Sequence, residues 1–183
     1  MTYHLSLSVV AVILGLLGIA GGLIAALRPA AIRQFLIGLP RNFRAGAITM
    51  IVATLWMDVL IYTVDLTEMT GYRTLLLIFF TVLGLMTIVY LPDFLFARAL
   101  GCLLLLATEL LFSATFPSLH PARHIITVIG YLWAIAGMCF VVAPYLLRDL
   151  IDLFNGSDAS TRRSGITKAL FGALLVILGL TAF

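Results

Sequence analysis

Six charge-poor apolar runs, each long enough to cross a lipid bilayer, constrain this chain more than any other feature. They cover residues 5–27, 45–64, 75–91, 99–116, 125–143 and 166–183. At 1.5 Å per residue, roughly 18–20 helical residues span the hydrocarbon core. None of the runs shows the two-residue alternation of a membrane β-strand. The run at 45–64 qualifies despite Asp58, and the two shortest are completed by interfacial residues at their ends. The chain of 183 residues is 63% hydrophobic and only 10% charged, against about 25% charged in soluble domains. So few charges cannot build a polar shell, and lipid must cover most of the surface. The expected fold is therefore all-α: one polytopic transmembrane helical bundle, residues 1–183, with no separate soluble domain.

The first run is expected to be a retained helix rather than a cleaved signal. Residues 1–8 carry no Lys or Arg, and Arg28 and Arg33 follow the run instead. Orientation follows from the basic residues. Arg28, Arg33, Arg41, Arg44, Arg98, Arg148, Arg162, Arg163 and Lys168 fall on one side of a six-span arrangement, and Arg73 and Arg123 on the other. The positive-inside rule places the larger group in the cytoplasm. The expectation is a multi-pass protein of the inner (cytoplasmic) membrane with both termini outside. Basic residues at span ends, not interleaved with aromatics in a patch, argue against nucleic acid as a partner. Cys102 and Cys139 form neither a disulfide framework nor a C-x-x-C pair.

Two links between spans resemble each other. The segments 29–39 and 144–154 align Pro29 with Pro144, Arg33 with Arg148 and their apolar positions at one offset. In both, Ile32, Phe35, Leu36 and Leu147, Leu150, Ile151, Phe154 follow a helical stripe. A Pro in the first turn loses no hydrogen bond. The expectation is two short interfacial amphipathic helices and a parallel internal duplication, helices 1–2 matching helices 5–6. Pro92, Arg98 and Gly101 suggest a worn middle copy. Plain anchoring at the membrane surface accounts for both amphipathic stretches. An apolar helix, a Pro-led basic link and a second helix opening near Arg and Gly resemble the small two-helix YjeT-like bacterial inner-membrane proteins, over residues 15–56 and again 138–180. That resemblance implies a helical hairpin and no settled chemistry.

Signatures of nucleotide binding, zinc hydrolysis and serine hydrolysis are all missing. His4, His120 and His124 lie near span ends, which disfavours a haem held inside the bundle. No catalytic residue, cofactor or resident metal is expected. A metal held by His120 and His124 with Asp65 or Glu68 is the minor alternative to a simple helix start at Pro121. Two acids do fall inside spans: Asp58 in the second and Glu109 in the fourth. An ionised side chain at mid-membrane costs roughly 2.5–3.5 kcal/mol on insertion scales. Asp58 shares a helical face with Thr54 and Tyr62, Glu109 with Cys102 and Ser113, and His124 with Thr127 and Tyr131. Lipid cannot hydrogen-bond to these seams, so they are expected to face protein. The candidate polar intramembrane site is thus Asp58, Glu109, Tyr62, Ser113, His124 and Tyr131. It is either a proton or cation site or a set of hydrogen bonds between helices. Gly15, Gly18, Gly22 and Ala26 form a small-residue stripe suited to close helix packing, and Gly165, Ala169 and Ala173 a second one.

The functional expectation is a non-catalytic membrane subunit or scaffold, with the bilayer and either other membrane subunits or further copies of the chain as partners. A small transporter or channel for protons, cations or a small solute through Asp58 and Glu109 is the alternative. An intramembrane enzyme ranks last, because no nucleophile–base pair is visible.

Overall fold

A computed structural model describes residues 6–64, 71–116 and 123–181. Helices account for nearly all of them, and no strand occurs among the described residues. The order is α1 (Leu7–Leu27), α2 (Pro29–Gly38), a short 3-10 turn (Leu39–Arg41), α3 (Phe43–Thr63), α4 (Arg73–Tyr90), α5 (Leu95–Thr115), α6 (Arg123–Val142), α7 (Tyr145–Asn155) and α8 (Asp158–Thr181). Six of these, α1, α3, α4, α5, α6 and α8, are long and apolar enough to cross a membrane. The chain therefore has the build of a multi-pass integral membrane protein. The amphipathic links 29–39 and 144–154 fold as α2 and α7.

Local chemistry explains several helix starts. Asn42 caps α3, its side-chain oxygen accepting from the Ala45 amide at 3.1 Å. Pro29 opens α2 at its first position, whereas Pro144 stands just outside α7 as the cap. Ser157 caps α8 by accepting from the Ser160 amide at 3.1 Å, and Asp158 follows in the first turn. The apolar run that opens at residue 166 is thus the inner part of a longer helix that begins at Asp158. Arg162 and Arg163 are good helix formers that lengthen it beyond its apolar part. Helix α5 likewise begins at Leu95 rather than at residue 99.

The middle link differs from the other two. Between α4 and α5 there is no surface helix, only a tight corner in which Phe94 takes a left-handed conformation (φ 53°). Such a residue costs on the order of 1–3 kcal/mol. Arg98 ties the corner down, its Nη1 donating to the Asp93 carbonyl at 3.1 Å and the Leu91 carbonyl at 3.4 Å. The likeness of this segment to the other links is thus confined to the residues around Gly101.

Helix α5 is the hub, packing on α6, α3, the 3-10 turn and α1. At one end, Leu7, Val10 and Ala11 of α1 meet Leu111 and Ala114 of α5 and Ile126 of α6. At the other, Ala97 of α5, Phe140 of α6 and Leu147 of α7 form a second cluster. The most extensive pairing joins α1 to α8, the first and last spans. Helix α4 sits at the edge against α3, with Gly84 as its single buried residue.

Candidate functional site

Glycines decide how closely the helices approach. A Cβ built on Gly15 would lie 2.6 Å from the Gly172 carbonyl oxygen, and one on Gly22 2.5 Å from that of Gly165. The contacts are reciprocal, so the backbones of α1 and α8 touch directly, the hallmark of small-residue membrane packing. Gly18 faces the Gly172 Cα, and the Ala26 amide lies against Gly165. The stripe of Gly15, Gly18, Gly22 and Ala26 thus faces α8. On α8 the contact residues are Gly165, Ala169, Gly172 and Gly179 rather than the Gly165, Ala169, Ala173 series. The seven-residue spacing of Gly165, Gly172 and Gly179 was the signal for them. Gly101 of α5 and Gly137 of α6 repeat the reciprocal contact.

The intramembrane polar groups lie along these seams, but not in one place. Asp58 points from α3 to α4, where its Oδ2 accepts a hydrogen bond from Thr81 Oγ1 at 2.9 Å. Its Oδ1 is buried and has no hydrogen-bond partner among the described residues. One turn away, Thr54 packs against Gly84 of α4 and donates to the Met50 carbonyl of its own helix at 2.9 Å. Tyr62 is exposed at the end of the same face, with the Arg73 guanidinium 6.0 Å from its ring centroid. Asp58 therefore meets protein, through a partner helix that the polar seam did not name.

Glu109 departs from the expectation. It lies on an exposed part of α5 and is not without a partner, but it does not stand in the interior. The buried polar groups of α5 are Thr108, Ser113 and Thr115. Thr108 Oγ1 donates to the Leu104 carbonyl at 2.8 Å and reaches the Gly130 carbonyl of α6 at 3.4 Å. Ser113 is absorbed by its own helix, donating to the Leu110 carbonyl at 2.9 Å. His124 is exposed, and so is Tyr131, whose ring lies 5.0 Å from that of Phe112. The physical reason is rotational: positions 108 and 109 differ by 100° around the helix, and the glycine contact with α6 selects the face carrying Gly101 and Thr108. Asp65, Glu68 and His120, which completed the metal alternative, lie outside the described residues, as do Tyr3, His4, Pro121 and Phe183. Among the described residues, no three His, Cys, Asp or Glu side chains come together.

A cavity of about 360 Å³ lies elsewhere, between α1 and α8 and beside α2 and the end of α7. Apolar side chains and glycines line most of it, with Asn155 and Lys168 as its polar members.

Comparison with protein-family models, with curated proteins and with solved structures finds no match.

Proposed function

We propose that this protein is a non-catalytic integral membrane subunit, a compact scaffold that other membrane proteins or further copies of itself pack against. One observation carries this reading: the polar groups within the spans do not converge. Asp58 is engaged at the α3–α4 seam, Thr108 at the α5–α6 seam, and Glu109 is exposed. A conducting path needs its polar groups lined up along one wet route. Helix α4, covered on little more than one side, leaves a broad apolar face for lipid or a partner span.

The internal duplication fits a scaffold, and its support extends beyond the links. The offset of 115 that carries Pro29 onto Pro144 also carries Gly15 onto Gly130 and Gly22 onto Gly137. Gly22 meets Gly165 of α8, and Gly137 meets Gly101 of α5. In the middle unit Gly84 of α4 meets Thr54 of α3. In each case the first span of one hairpin packs on the second span of another: α1 on α8, α4 on α3, α6 on α5. Such an exchange closes the three hairpins on one another, so that no hairpin stands as a unit by itself.

The mass of the particle extracted in mild detergent, with co-purifying chains identified, tests the proposal. A particle well above the 19.9 kDa of one chain, with fixed stoichiometry, is expected. A bare monomer would count against it. The transporter reading retains one specific support, the unpartnered Oδ1 of Asp58. Asp58→Asn keeps the shape and removes the titration, and loss of solute or proton flux in a folded variant would favour that reading instead.

A further inference from the structure

The cavity between α1 and α8 is graded along its length. Leu14 and Leu175 line it, and so do Gly21, Gly22 and Ala25, nearer the end of α1 that leads into α2. From Leu14 to Ala25 it runs about 16 Å at 1.5 Å per residue. Its volume of about 360 Å³ falls within the roughly 300–1,000 Å³ of ligand pockets. Asn155 and Lys168 complete the lining. Lys168 alone would be unremarkable, since a lysine near a span end reaches for the interface.

Asn155 is different. It is 6% exposed, lines the cavity, and no hydrogen bond joins its side-chain amide to a described residue, although the amide is not among the fully enclosed polar groups. An amide that faces an apolar cavity is costly unless water or a polar ligand meets it, and lipid tails cannot do so. Lys168, an exposed residue that also lines the cavity, has no carboxylate within ion-pairing distance among the described residues. The lining thus offers an amide from the end of α7, a lysine from α8, and an otherwise apolar trough.

We propose that this cavity binds one anionic phospholipid of the leaflet on the α2 and α7 side. The phosphate accepts hydrogen bonds from Asn155 Nδ2 and Lys168 Nζ, and an acyl chain lies along the glycine-lined trough of α1. A free phosphate satisfies the polar end alone and leaves the apolar trough empty. A zwitterionic lipid fills the trough, but its headgroup carries no net charge to match Lys168. The site is independent of any partner subunit.

Native mass spectrometry of the full chain in mild detergent tests this, with phosphatidylglycerol, phosphatidylcholine and inorganic phosphate as probes. One phosphatidylglycerol per chain is expected to be retained, in preference to phosphatidylcholine. Lys168→Gln should weaken phosphatidylglycerol roughly fivefold, the effect of one basic residue on an anionic lipid, and leave phosphatidylcholine unchanged. Gly21 lines the cavity, and a Cβ there meets nothing within 4 Å, so Gly21→Leu fills the trough without a backbone clash at its Cβ. That variant should lose the retained lipid while keeping wild-type helicity. If it fails to fold, Lys168→Gln decides alone. Equal retention of the two lipids, unaffected by Lys168→Gln, would reduce the site to ordinary lipid contact and overturn the proposal. Displacement of the lipid by inorganic phosphate at matching concentration would overturn it as well.

Discussion

Two adjacent glycines of α1 provide a matched test of what holds the first and last spans together. A methyl group on Gly22 would sit 2.5 Å from the Gly165 carbonyl oxygen and 2.6 Å from the Ala169 amide nitrogen, both backbone atoms of α8. Ordinary van der Waals contact begins near 3.4 Å. Backbone in a helix cannot swing aside as a side chain does, so α1 and α8 must separate by most of an ångström. Overpacking of this kind costs about 1–3 kcal/mol. Alanine returns up to about 1 kcal/mol of helix propensity, leaving Gly22→Ala destabilised by roughly 0–2 kcal/mol on those two terms. Separation also loosens the contact at Gly15 and Gly172, which pushes the result toward the upper end. Gly21→Ala receives the same propensity gain with nothing within 4 Å of the new methyl, and should be neutral or stabilised by up to about 1 kcal/mol. The ranking of the pair is therefore firmer than either value: Gly22→Ala below wild type, Gly21→Ala at or above it. Reversible unfolding by denaturing detergent, followed by circular dichroism, reads the difference. Equal midpoints for the two variants would refute backbone contact between α1 and α8 as the basis of the pairing.

Thr81→Val removes the hydrogen-bond donor to Asp58 Oδ2 and should destabilise the protein by about 1–3 kcal/mol in the same unfolding assay; an unchanged midpoint would show that the α3–α4 contact does not depend on it. The Arg33–Asp158 pair is long, 3.7 Å, and largely solvated, so Asp158→Asn should cost no more than about 1 kcal/mol, and a larger loss would mean that the corner where α8 begins matters more than its exposure suggests. For orientation, the native cysteines are first replaced by serine; a cysteine at Tyr3 or Phe183 should then react with an impermeant thiol reagent in intact cells, and one at Ser157 should not. Labelling at Ser157 would reverse the assigned sides.

The sequence by itself determined the membrane class, the number of long apolar helices and the two amphipathic links. These are local properties. A helix satisfies its own backbone hydrogen bonds, and its apolar length is written in consecutive residues, so the runs translate directly into α1, α3, α4, α5, α6 and α8. The stripes around Phe35 and Leu147 depend only on 3.6-residue periodicity and became α2 and α7. Helix α8 begins before its apolar run because charge marks where the apolar layer ends, whereas a cap such as Ser157 marks where the helix begins.

Only the tertiary structure decided which helix meets which. Lipid tails are as apolar as leucine, so hydrophobicity does not distinguish a face that touches protein from one that touches lipid. The Gly15–Gly22 stripe therefore announced a close neighbour without naming α8, and the seam of Asp58 announced a polar partner without naming Thr81. Glu109 shows the same limit from the other side: one residue separates it from the buried Thr108, and the 100° between them was settled by the contact of Gly101 with Gly137. The cavity beside the buried Asn155 exists only where four helices from opposite ends of the chain come together, and no local pattern of residues encodes that meeting.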